Sequence, residues 1–153
     1  MSKIIIILFF LMCGVSQVLA QETAPVESEK ATVYVYSLAT HTTLGRIKPS
    51  VFVDTKEVAQ IRPNRFFVLY LEPGNHEIHF KKSKKRGGIE MEFKAGETYY
   101  LRVNWKAEGT VRAEGFDIMK IESARYDLKQ LKPIDDDNIK DKNRVSTKLE
   151  DLQ

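Results

Sequence analysis

Five basic side chains crowd one short stretch of the chain: Lys81, Lys82, Lys84, Lys85 and Arg86. They lie within about one Debye length of one another, so their fields add, and an anionic lipid, glycan or polynucleotide would meet them together. No aromatic residue interleaves them, which argues against base stacking and a nucleic-acid partner. The simpler reading is a solvated hairpin tip whose charge discourages edge-to-edge aggregation. His76 and His79 are the next residues with ligand chemistry. Three apart on a strand, they face opposite sides and cannot hold one metal together. His41 stands apart from both in sequence. Asp135, Asp136 and Asp137 suggest calcium, but Ile139 falls on a ligand position of a loop begun at Asp135. The central Gly and closing Glu are also missing. No metal site is expected.

Tyr34, Tyr36, Tyr70, Tyr99, Tyr100 and Trp105 are a second resource. Such rings line sugar-binding faces, but they also fill sandwich cores with their polar tips at the rim, and the core reading is favoured. Enzymatic chemistry has less to stand on. Ser37, Ser50 and Ser83 lack a nucleophile elbow, and no Gly-rich phosphate loop leads from a strand into a helix. No cofactor is expected and no catalytic residue is assigned. A hydrolase with two carboxyls across a cleft is the alternative, since carboxyls are plentiful on the strands.

The elements that must carry these residues centre on Val51 to His76. Val51, Val53, Val58, Ile61, Phe67, Leu69 and Leu71 recur at strand spacing, and Glu72-Pro-Gly-Asn75 fits a turn with Gly at positive φ. Upstream, Ala31–Leu38 is a strand with Val33 and Val35 on one face and Tyr34 and Tyr36 on the other, so both faces should be covered. Downstream, His76–Lys81 and Ile89–Phe93 alternate cleanly, with Glu77, His79, Lys81, Glu90 and Glu92 facing water and Glu90 and Glu92 placed to pair with Lys81 and its neighbours. Glu97–Trp105 is the longest strand. Val111–Ile121 returns as the last, bulged near Gly115. The period then changes: Ile121, Ala124, Leu128 and Leu131 recur at helix spacing, ended by Pro133. The fold class is therefore mainly β, an antiparallel β-sandwich of about seven strands with one short C-terminal helix.

The 153 residues allow one domain, and 42% hydrophobic with 29% charged residues is ordinary for a globular chain. The net charge of +3 is uneven. Residues 30–132 carry 19 Lys and Arg against 12 Asp and Glu, while both flanks are acidic. The first twenty residues read as an export signal: Lys3, then an unbroken apolar run from Ile4 to Met12, then Val18-Leu19-Ala20, with cleavage between Ala20 and Gln21. The run is short for a membrane span, so no stable anchor is expected after cleavage. Cys13 follows bulky Met12 where a lipid-attachment site wants a small residue, so lipidation is not expected. It is the only cysteine, and the mature chain would have no disulfide. The organisation reads as signal 1–20, polar spacer 21–30, β-domain 31–132 and a mobile polar tail 133–153.

Val33-Tyr-Val-Tyr36, Val51-Phe-Val-Asp54, Val58-Ala59, Leu71-Glu-Pro-Gly-Asn-His76 and Ala95-Gly-Glu-Thr-Tyr-Tyr-Leu-Arg102 follow one another across about Ala31 to Leu131. In this order they resemble the bacterial family called domain of unknown function 2846, and more distantly the PEGA-type β-sandwich modules of cell envelopes. The chain departs from the pattern at Ser37, where Arg is frequent, and at Pro63-Asn-Arg-Phe66. The resemblance implies a β-fold and an envelope setting, and it transfers no catalytic residue. The expectation is an exported, periplasmic or extracellular, non-enzymatic module that contacts an envelope protein or a glycan.

Overall fold

The computed structural model describes residues 29–38, 48–80, 88–106 and 112–149. They form two packed sheets and one helix. In chain order the strands are β1 (Ala31–Ser37), β2 (Ser50–Val53), β3 (Lys56–Gln60), β4 (Arg65–Leu71), β5 (Gly74–Phe80), β6 (Ile89–Phe93), β7 (Thr98–Lys106) and β8 (Arg112–Ile118). Helix α1 (Ile121–Leu128) and two short strands, β9 (Lys132–Pro133) and β10 (Val145–Ser146), complete the set. One sheet runs β10-β4-β1-β7-β8, with β9 also on the outer edge of β4; the other runs β3-β2-β5-β6. The chain is mainly β and sandwich-like, as its alternation predicts.

Strand pairing is less local than the sequence suggests. The Pro73-Gly74 turn reads as a hairpin between β4 and β5, yet those strands sit in different sheets. The turn carries the chain across the sandwich, and Gly74, at φ 139°, takes a conformation that side chains rarely adopt. A Cβ there would meet nothing within 4 Å, so the demand on this position comes from the backbone alone. The Ala95-Gly96 turn crosses in the same way, between β6 and β7. At the centre of the larger sheet β1 pairs antiparallel with β4 and parallel with β7. This parallel pair departs from an all-antiparallel sandwich, and it follows from the crossings, which return β7 to the first sheet in the direction of β1.

Because β1 is central, both of its faces are buried. Val33 and Val35 join Phe67, Leu69, Leu71, Leu101 and Val103 against Val51, Val53, Val58, Ile78 and Phe93 of the facing sheet. On the other side Tyr34, Tyr36, Phe66, Val68 and Tyr100 pack beneath Ala124 and Leu128 of α1. The helix ends at Leu128, a turn earlier than the apolar spacing predicts, because the chain there bends to pair Lys132 with Arg65. The last long strand ends at Ile118, and its register slips at Glu114, one residue from the predicted bulge: Gly115 faces Asn104 and Ala113 faces Trp105.

Two expectations are corrected. Residues 133–149 are not a mobile tail but a strap across one side of the sandwich. Lys132–Pro133 pairs with the start of β4, Ile139 bridges to Ala59 of β3, and Val145–Ser146 returns to β4. Ile134 and Val145 are buried. Apolar periodicity could not reveal this, because each pairing is two residues long or less. His79, expected in water, is 2% exposed and stacks on Phe52 of the neighbouring strand at 5.5 Å. Directly across the strands Glu90 faces Glu77 and Glu92 faces Asn75, while Lys81 and its neighbours, their expected partners, lie outside the described residues.

Candidate binding groove

The strap is locked by a carboxylate. Asp141, 5% exposed, receives Lys56 Nζ from β3 at 2.8 Å and Arg144 Nε at 2.8 Å. These two cations hold its carboxyl down at about 2. A second carboxylate closes the β2–β3 hairpin. Asp54, at φ 57°, accepts the Glu77 N–H on Oδ1 at 3.0 Å and lies 2.9 Å from His76 Nδ1 through Oδ2. Burial pushes the Asp54 carboxyl up, but the bonds from His76 and Glu77 outweigh it and hold it below its ordinary value. The other His76 nitrogen lies 2.9 Å from the Glu72 carbonyl, and His79 Nε2 lies 2.8 Å from the Asp54 carbonyl. Both histidines thus reach the same turn from different sides, one at its side chain and one at its backbone. Among the described residues no group of three His, Cys, Asp or Glu side chains is arranged for a metal.

The aromatic residues divide. Tyr34, Tyr36 and Tyr100 are buried under α1, and Tyr34 stacks on Tyr100 at 5.3 Å. Tyr99 and Trp105 pack at the margin of the main core, where Trp105 Nε1 donates to the buried Ser37 hydroxyl at 2.9 Å. Burial pushes the Tyr100 phenol up. Burial first, and then the neighbouring Asp127, push Tyr36 well beyond the ordinary phenol range. These rings are core residues rather than a ligand-facing row.

One groove that faces solvent was not singled out by sequence. It lies where the C-terminal end of α1 meets the ends of β1 and β4 and holds about 610 Å³. The helix and the turn after it contribute Tyr126, Asp127, Gln130 and Leu131; Asn64 comes from the β3–β4 turn and Arg65 from the start of β4. Leu38 and Lys132 complete the lining. Asn64 sits at φ 58°, a left-handed conformation that Asn tolerates better than most residues, and this aims the turn into β4. Tyr126 is 71% exposed, the most exposed large apolar side chain described. From beneath, the fully buried Tyr36 donates its hydroxyl to Asp127 Oδ2 at 3.1 Å. The sequence signal was present but faint: Tyr126 is the one aromatic residue of the helix, and it lies off the Ala124–Leu128 stripe.

The basic residues Lys81, Lys82, Lys84, Lys85 and Arg86 lie outside the described residues, as do the Ala20–Gln21 cleavage position and His41. Among the described residues no helix is long and apolar enough to cross a membrane.

Comparison with known proteins places the domain but assigns no activity. No curated protein and no solved structure matches the chain. The model of one protein family of unknown function, DUF2846, matches residues 27–116. The match ends inside β8, so it includes Asn64, Arg65 and Leu38 but neither α1 nor the strap. The groove therefore joins the shared domain to a C-terminal segment beyond the match. With more than half of its length matched, the chain belongs to the DUF2846 family.

Proposed function

We propose that this protein is an exported, non-enzymatic envelope module, periplasmic or extracellular, that contacts a glycan or protein partner. The observation that carries this reading is how the side chains are used. Among the described residues the carboxyls with clearly shifted titration are Asp54 and Asp141, both held low by bonds that close a hairpin and a strap. A general acid needs the opposite shift. The groove beside α1 meanwhile offers an exposed ring and several polar side chains on a rigid sheet, as a recognition surface requires. The charged and apolar pattern of the first twenty residues supports export.

Cell fractionation with mass spectrometry tests the reading. The tagged chain should appear outside the cytoplasm with Gln21 as its first residue, and it should sediment with insoluble envelope material without releasing soluble fragments. Recovery in the cytosol with Met1 intact would overturn export. Fragment release from the envelope material would favour a hydrolase.

A further inference from the structure

Resting on the binding-module reading and naming its ligand, we infer that the groove beside α1 is a saccharide site, built for the hydroxyls and ring face of a neutral oligosaccharide. Tyr126 supplies a rigid ring largely open to solvent, the kind of surface on which the C–H face of a pyranose packs. Sugar hydroxyls both donate and accept, so a saccharide site needs both kinds of partner side by side. Asp127 accepts, Arg65 and Lys132 donate, and the amides of Asn64 and Gln130 do both.

Asp127 is preorganised for this role. Tyr36, anchored in the core, holds Oδ2 at 3.1 Å, and Oδ1 has no hydrogen-bond partner among the described residues. A carboxylate fixed at one oxygen and open at the other can accept a sugar hydroxyl without first being ordered. The volume of about 610 Å³ accommodates roughly two or three sugar rings, within the range of small-ligand sites.

The same geometry disfavours other occupants. A peptide adding as a strand needs a free backbone edge, and beside the groove the β4 edge is already paired with Lys132–Pro133. A helix laid into the groove needs a row of apolar contacts, and only Leu38 and Leu131 provide aliphatic side chains. The lining sets the Asp127 carboxylate among Arg65 and Lys132, so no strong charge of one sign selects an anionic ligand.

The experiment is amide-resolved NMR titration of the chain with chitotetraose, cellotetraose and maltotetraose, each to about 10 mM, a range that captures weak single-site binding. At least one should shift the backbone signals of Asn64, Tyr126, Asp127 and Gln130. Tyr126→Ala should weaken that binding by roughly tenfold or more, because the ring is the central contact. Asp127→Asn keeps an acceptor for Tyr36, and hence the fold, and should weaken binding about fivefold or more by replacing the carboxylate acceptor of the lining with an amide. Silence of these signals with all three sugars would overturn the inference, as would binding untouched by Tyr126→Ala. Shifts confined to another surface would refute the groove while leaving the binding-module reading intact. Cleavage of a bound sugar, read by chromatography, would refute the non-enzymatic reading while leaving the groove in place. If a pool of unstructured nonapeptides shifts the groove signals and the sugars do not, the ligand is a protein and the saccharide assignment is wrong.

Discussion

Asp141 does at the residue scale what a disulfide does in many exported domains: it ties a distant segment to the core. Its carboxyl titrates at about 2 in the fold, against an ordinary 3.8. A depressed carboxyl contributes stability that is fully present above its unfolded value and is lost as pH falls through the folded one. Asp141→Asn should therefore cost about 1–2 kcal/mol between pH 5 and 7, the lower end because the Lys56 head stays in water. The gap should close between pH 4 and 2. Urea unfolding of both proteins across that range checks this, and a gap independent of pH would show that Asp141 acts by packing alone. Tyr36 works in the opposite direction. Its phenol is raised chiefly by burial, so the stability it supports holds below about pH 10 and declines as alkali ionises the unfolded chain. Tyr36→Phe should cost about 1 kcal/mol at neutral pH, the net worth of its bond to Asp127. That penalty is read from the shift in the urea midpoint.

The strap is the element on which the sandwich depends most unexpectedly. Its backbone pairs with the outer edge of β4 twice and touches β3 once, so it laces the margins of both sheets. Without its part beyond Pro133 the run Val68–Tyr70 would present a bare edge, the arrangement that invites pairing with other chains. Removing residues 134–153 should therefore promote association and cost about 3 kcal/mol or more, since Ile134 and Val145 lose their burial. The Tyr70 amide, which donates to the Arg144 carbonyl at 2.8 Å, should lose its protection from hydrogen exchange. Light scattering and exchange mass spectrometry report the two effects, and a monomeric truncation with Tyr70 still protected would show that the strap is dispensable. On α1 the two sides should respond differently. Leu128→Ala empties a site under the helix and should cost about 2–5 kcal/mol. Tyr126→Ala should stay within about 0.5 kcal/mol, because the ring stands in solvent.

The whole molecule is organised around a strand whose partners are far away in sequence. β1 meets β4 and β7, and a second core lies on its other face, so the larger sheet is not complete until most of the chain is in place. Such topology folds slowly and as a unit. Trp105, the only tryptophan, sits at the margin of the core and is bonded to Ser37 of β1. Its fluorescence and the far-ultraviolet circular dichroism should therefore melt together. A separate early transition in the dichroism would mean that α1 or the strap is held independently of the sheets.

Local alternation was enough to determine the class of fold, most strand positions, the two-sided burial of β1 and the start of the helix. Val33 against Tyr34, or Ile78 against Glu77, declares its face through the two-residue period of a strand, and Ala124 and Leu128 through the period of a helix. What the alternation could not decide is which edges meet. The Pro73-Gly74 turn looks the same whether it closes a hairpin or crosses between sheets, and only the packed core selects the crossing. The strap was invisible because pairings of one or two residues leave no period, and because its anchor, Asp141, is a charged residue that looks solvated until Lys56 and Arg144 surround it. The groove was hidden for a related reason. Tyr126 and Asp127 lie more than sixty residues from Asn64 and Arg65, and the packing of α1 on β1 and β4 with the pairing of Lys132 and Arg65 brings them to one surface.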